Sequence, residues 1–167
     1  MRRDEEKYLH ELTSVGKREA ILTMFLREFQ GYHEIRTLEV GVADGETSQT
    51  LLENEERLFL IGVDPYYDSI DVFQEAKERY QMYSERAHLI VSPAEHIHTL
   101  IPEASVDVVF YDLTGTVWLK DDIITNVYKC LKPKGIAVFI SYGYETYPQI
   151  ALHRILPWGA ELHFEAL

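Results

Sequence analysis

Glycines and carboxylates recur together at two places in the chain, where close backbone approach and charged hydrogen-bond acceptors can serve one ligand. The first is Glu39-Val40-Gly41-Val42-Ala43-Asp44-Gly45, leading into Glu46-Thr47-Ser48. Glycine lets backbone come near a ligand and reach positive φ, and Thr47 or Ser48 is expected to cap the helix that follows. With only Gly41 and Gly45 present, the fingerprint G-x-G-x-x-G is absent, and a tight strand–helix turn needs glycine for structural reasons alone. The second place is Gly62-Val63-Asp64-Pro65-Tyr66, about 20 residues further on. An acid there can accept hydrogen bonds from both hydroxyls of a ribose, and hydrogen bonds to ions are the stronger kind. Asp64 also suits a helix cap or a solvated loop, so the two places argue together rather than singly.

These residues need strands and helices to position them. Near-continuous apolar runs predict strands over Thr37–Val42, Leu58–Val63, His88–Ser92, Val106–Tyr111 and Ile136–Ser141, the pattern of parallel strands covered on both faces. Helical stripes lie between them. Phe73, Ala76, Tyr80 and Tyr83 make one; Leu119, Ile123, Val127 and Leu131 make another, with Asp121 and Asp122 in its first turn, Lys129 and Lys132 near its end, and Pro133 and Gly135 to stop it. Ile21, Met24, Phe25 and Phe29 mark an earlier helix. Ala160, Leu162, Phe164 and Ala166 alternate with Glu161, His163 and Glu165, as in a half-exposed strand at or near a sheet edge. The expected fold is α/β: a doubly wound, mostly parallel sheet with helices on both faces and a late edge strand. Ligands in such sheets bind beyond the carboxyl ends of the strands, where strand order reverses. With no repeat, linker or low-complexity segment, residues 1–167 are expected to form a single domain.

In this order the pieces resemble the class I, Rossmann-like S-adenosylmethionine (SAM)-dependent methyltransferases over roughly residues 35–142. Glu39-x-Gly41-x-Ala43-x-Gly45 is similar to their first motif, [E/D]-x-G-x-G-x-G, with alanine for the middle glycine. Asp64 matches the acid that holds the ribose, and Ser92-Pro93-Ala94-Glu95 the segment that contacts adenine. Val106–Asp112 resembles the fourth-strand motif, and Lys129–Val138 the helix-turn-strand segment L-x-P-G-G. The resemblance implies that SAM is the cofactor. Glu39, Gly41, Asp44 and Gly45 would surround its methionine part, with Ala43 also among the cofactor-binding residues. Asp64 would hold the ribose, with Pro65 beside it and Tyr66 close to the adenine, and Ala94 and Glu95 would address the adenine edge. Asp112, then Tyr142, would orient or deprotonate a small-molecule acceptor. The order of pieces looks most like small-molecule O-methyltransferases. Their metal-dependent members place an Asp-Asn pair after strand five, where this chain has Ser141-Tyr142-Gly143-Tyr144, so no metal site is expected. A related group has a His shortly after the fourth-strand Asp, where this chain reads Leu113-Thr114-Gly115-Thr116. The family core has seven strands and six are legible here. Two rivals are a SAM-binding sensor or partner subunit without catalysis, and a nicotinamide-dependent oxidoreductase, against which the missing third glycine counts.

The totals narrow the partners. Sixteen basic residues stand among 28 acidic ones, for a net charge of −12. Without a basic stripe, a nucleic acid or anionic membrane partner held through phosphates is not expected. No apolar run approaches the roughly 18–20 residues that span a bilayer, and the charged amino terminus does not read as a signal peptide. Cys130, the only cysteine, cannot form an internal disulfide, so a cytoplasmic setting is expected. A homo-oligomer stays open. Cys130 reads as a small core hydrophobe. His96 and His98 read as the start of a helix, where a spacing of two separates them, rather than as a metal pair. Tyr142, Tyr144 and Tyr147 suit either an aromatic acceptor pocket or a packed rim, and Trp118 either a lid or an anchor.

Overall fold

The apolar runs form the centre of a single sheet. In chain order the elements are α1 (Lys17–Glu28), β1 (Ile35–Val40), α2 (Glu46–Asn54), β2 (Leu58–Asp64), α3 (Ile70–Gln81), β3 (Ala87–Val91), a 3-10 turn (Ala94–His96) running into the short α4 (Ile97–Leu100), β4 (Val106–Tyr111), α5 (Asp121–Cys130), β5 (Leu131–Tyr142), β6 (Pro148–Ile155) and β7 (Glu161–Phe164). The computed structural model describes residues 7, 16–67, 69–112, 121–142, 148–155 and 161–164. Among these the strand order is β3-β2-β1-β4-β5-β6-β7. The first five strands pair in parallel, and β6 and β7 return antiparallel.

Helices cover both faces of the parallel part, which is why its central strands are mostly apolar; every residue of β4 is buried, whereas the edge strand β3 buries only its first residue. One face carries α1, α2 and α3. Ile21, Met24 and Phe25 of α1, with Phe29 just past its end, pack there with Leu51, Leu52, Ala76, Tyr80 and Phe110, and the Phe25 and Phe110 rings meet edge-on at 5.8 Å. The other face buries Leu38, Val40 and Val109 under Ile97, Ile123, Val127 and Cys130. Each large apolar side chain so buried contributes roughly 1.5–3 kcal/mol. The Cys130 thiol, pushed up to about 11 chiefly by burial, belongs to this core.

Four details correct the sequence reading. β1 begins and ends two residues earlier than expected, because the backbone leaves the strand at Gly41, whose φ is 90°. The stripe through Ala76 and Tyr80 stops at Gln81, so Tyr83 lies beyond α3. The helix expected to run through Lys132 ends at Cys130, and Lys132 instead grips both carboxylate oxygens of buried Asp107 at 3.0 Å. β6 is a seventh strand that the apolar pattern does not reveal. The late edge strand is present as β7. Leu119, Ala160, Glu165 and Ala166 lie outside the described residues.

Candidate functional site

From β1 the chain winds outward to β2 and β3, then returns to the other side of β1 as β4. Strand order therefore reverses between β1 and β4, and a crevice opens beyond their carboxyl ends. Backbone bonds lace its floor: Gly41 N donates to Val63 O at 2.9 Å and Asp112 N to Val40 O at 2.8 Å. A cleft of about 1100 Å³ lies there. Its walls include Glu39, Gly41, Ala43, Asp44, Asp64, Pro65, Tyr66, Ala94, Glu95 and Asp112, so ten of the sequence-selected residues stand around one space. Gly16, Arg18 and Glu19, from the start of α1, and Tyr67 and Ser69 before α3 with Val72 in its first turn, extend it.

The loop after β1 is held in shape by side chains from the β2–α3 segment. Asp64 Oδ2 accepts from Val42 N at 2.9 Å and Ala43 N at 3.0 Å, while Oδ1 accepts from Tyr66 N at 3.0 Å. The Tyr66 hydroxyl donates to Ala43 O at 2.9 Å. Ala43 sits at φ 50°, a left-handed conformation that costs an L-residue about 1–2 kcal/mol; bonds to both its N–H and its C=O hold it there. Alanine can thus occupy the place of a motif glycine. Burial, then the nearby carboxylates Asp64, Glu39 and Asp44, pushes the Tyr66 phenol well up, so it stays a donor at neutral pH. Arg79 of α3 clamps Asp44, bonding its carbonyl and lying 3.1 Å from its carboxylate.

Glu39 is buried on the face of β1 toward α2 and α3. Ser48 Oγ donates to Glu39 Oε2, and the Tyr80 hydroxyl lies 3.1 Å from Ser48 Oγ and 3.4 Å from Glu39 Oε2. The expected capping role of Thr47 or Ser48 is not taken up. Gly45 occupies the cap position at φ 79° without a side-chain bond, and the Ser48 hydroxyl turns to Glu39 instead. Gly45 is not among the described lining residues. A Cβ there would stand 3.3 Å from Ala76 Cα, and its left-handed φ already favours glycine.

Ala94 is buried at the cleft wall and Glu95 half-buried, in the 3-10 turn after β3. His96 and His98 are both exposed, and His98 Nδ1 lies 3.0 Å from Glu95 O. Tyr142 ends β5 opposite Pro148 of β6. Trp118, Gly143, Tyr144, Tyr147 and Leu113–Thr116 lie outside the described residues. Sequence reasoning missed Tyr80 and Arg79 as site residues and gave Ser48 the wrong task. Tyr80 carried only a helical stripe signal, and Arg79 none.

The charge of the lining is one-sided. Glu19, Glu39, Asp44, Glu46, Asp64, Glu95 and Asp112 all face the cleft. Among the described lining residues Arg18 is the only cation, and it is paired with Glu46 at 2.6 Å.

Residues 37–135 match the family described as methyltransferase domain, more than half of the chain. The chain belongs to that family. Solved structures similar to this methyltransferase domain include a SAM-dependent methyltransferase from Aquifex aeolicus (18% identity, TM-score 0.57, covering 75% of this chain and 65% of that one). Phosphoethanolamine N-methyltransferase 2 from Haemonchus contortus, in complex with SAM, is 25% identical with a TM-score of 0.58, over 74% of this chain and 28% of its own. The [4+2]-cyclase SpnF is 17% identical with a TM-score of 0.57, over 72% and 43%. The chain thus spans between 28% and 65% of these three proteins. No curated protein matches it in sequence. Among the described residues no helix is long and apolar enough to cross a membrane.

Proposed function

We propose that the chain binds SAM in the cleft beyond β1 and β4 and transfers its methyl group to a small-molecule acceptor. The observation that carries this is the excess of carboxylates over cations at the glycine turn. SAM presents a sulfonium and an ammonium, and carboxylates in a recess attract such charges more strongly than in open water. A nicotinamide dinucleotide would bring a diphosphate to the same wall of acids, without the basic groups or glycine fingerprint that usually hold it.

On this reading Glu39, Gly41, Ala43 and Asp44 hold the methionine end. Asp64 takes the ribose hydroxyls, with Pro65 beside it, and Tyr66, Ala94 and Glu95 frame the adenine. Gly45 supports the turn from behind. When bound, SAM supplies an electrophilic methyl on a positively charged sulfur. The remaining work falls to the chain: aligning the acceptor and, where it carries a proton, removing it. Asp112 stands at the cleft wall where β4 ends and is the residue proposed to orient the acceptor or take its proton, with Tyr142 of β5 as the second candidate. A small acceptor is supported by the Haemonchus contortus enzyme, which was also crystallised with phosphomonomethylethanolamine and S-adenosylhomocysteine. The likeness to a cyclase is a reminder that fold alone does not select chemistry.

The test is incubation with methyl-labelled SAM and fractionated small metabolites, beside calorimetry with SAM and NAD. Label moving to a small product supports the proposal. Tight SAM binding without transfer to any fraction would favour a sensor or partner subunit, and NAD binding in place of SAM would refute the cofactor assignment.

A further inference from the structure

Glu39 is 2% exposed, and a carboxylate so deeply buried keeps its charge only if donors compensate for lost water. Two hydroxyls from separate elements supply them. Tyr80 of α3 donates to Ser48 of α2 at 3.1 Å, Ser48 donates on to Glu39 Oε2, and the Tyr80 oxygen lies 3.4 Å from the same atom. Donors in series strengthen one another. Burial first, then the charge of Glu39, pushes the Tyr80 phenol far above its ordinary range, so the proton stays available to donate. The sheet makes room for this hydroxyl. At Gly62 of β2 a Cβ would stand 2.2 Å from the Tyr80 oxygen and 2.8 Å from Val42 Cγ2. The Tyr80 ring fills the core beside Ala76 and Leu51, a task phenylalanine performs equally well. Packing accounts for the ring and leaves the hydroxyl to be explained.

We propose that Tyr80, acting through Ser48, is a positioning residue that holds the Glu39 carboxylate fixed at the cleft wall to receive the ammonium of the methionine end of SAM. This rests on the SAM reading above. Tyr80 is buried and is not among the described residues that line the cleft, so its effect is proposed to run through Glu39, and the following comparison isolates that path.

Calorimetry on the full chain would compare SAM with 5′-methylthioadenosine, which keeps the adenosine and the sulfur but has no ammonium. Tyr80→Phe is expected to weaken SAM about tenfold, the loss of one hydrogen bond to a charged group at about 1.4 kcal/mol per decade, and to leave methylthioadenosine unchanged. In a Glu39→Gln background the same substitution should cost nothing more, because the path is already cut. Ser48→Ala should reproduce the selective loss, and it carries the test should Tyr80→Phe fail to fold by circular dichroism. Unchanged SAM affinity, equal loss of both ligands, or a full additional loss in the Glu39→Gln background would each overturn the inference. A wild-type chain that binds no SAM fails differently: it refutes the cofactor reading itself, and the inference with it.

Discussion

Asp64 does two jobs with one carboxylate. Its oxygens already accept the N–H groups of Val42, Ala43 and Tyr66, and on the proposed reading they also receive the ribose hydroxyls. Asp64→Ala should therefore lower SAM affinity by roughly ten- to a hundredfold, since a hydrogen bond to an ion is worth about 1.5–3 kcal/mol and each decade about 1.4. Calorimetry on a folded variant checks this, and unchanged affinity would remove Asp64 from the site. Gly45 is expected to behave in the opposite way. Its φ of 79° and the approach of Ala76 to 3.3 Å make it a backbone and packing requirement. Gly45→Ala should cost about 1–2 kcal/mol, a fall in Tm of roughly 2–8 °C for a domain this size, while the folded protein keeps its SAM affinity. Lost affinity at an unchanged Tm would restore Gly45 to the cofactor wall. The two residues mark how far side-chain type alone is informative. Acids at strand ends stand out in sequence, because a carboxylate closing an otherwise apolar run is conspicuous, although at Asp64 the same carboxylate also holds the turn. Gly45 does not stand out, since a cap glycine and a ligand-facing glycine look alike in sequence. Tyr80 and Arg79 escape for another reason: their partners Ser48 and Asp44 lie more than thirty positions earlier, beyond any local periodicity.

At the scale of elements, the five parallel strands were legible because the central ones are largely buried on both faces and therefore mostly apolar, while the edge strand β3 keeps a short apolar run despite its exposed positions. β6 was not. Its run Pro148-Gln149-Ile150-Ala151-Leu152-His153-Arg154-Ile155 mixes polar with apolar residues and opens on proline, yet it pairs with β5 from Ile136↔Arg154 to Tyr142↔Pro148. Antiparallel partners tolerate such mixed composition where parallel ones do not. Where strands end also decides which ligands a metal would meet. Mg²⁺ takes oxygen ligands in near-octahedral geometry, commonly one or two carboxylates with waters and substrate oxygens. β4 ends beside Asp112, whereas β5 ends in Ser141 and Tyr142, and a neutral hydroxyl and phenol are poor replacements for a second acid. Transfer activity is accordingly expected to survive excess EDTA. Activity lost with chelator and restored by Mg²⁺ would overturn this and bring forward Glu145, which lies outside the described residues.

For the molecule as a whole, the net charge of −12 and the acidic cleft point the same way. A field of one sign, focused in a recess, concentrates ligands of the other sign and repels those of its own. SAM enters as a cation and NAD as an anion, so the two cofactors should be separated by a measurement on the intact chain that requires no acceptor. A ligand that binds only the folded state stabilises it by RT ln(1 + [L]/Kd), about 2.7 kcal/mol at a hundredfold excess over Kd. With about 2–4 °C per kcal/mol for a domain of this size, SAM at that excess should raise Tm by roughly 5–11 °C. NAD at the same concentration should leave it unchanged. Salt gives the electrostatic account its own check, because screening at about 1 M shortens the Debye length to about 3 Å. The shift produced by a fixed SAM concentration should then shrink, through weaker attraction of the sulfonium and ammonium, without disappearing, since the ribose and adenine contacts are short-ranged. A shift that is indifferent to salt would mean that the carboxylates lining the cleft do not draw in the cofactor and that its contacts with neutral groups carry the affinity.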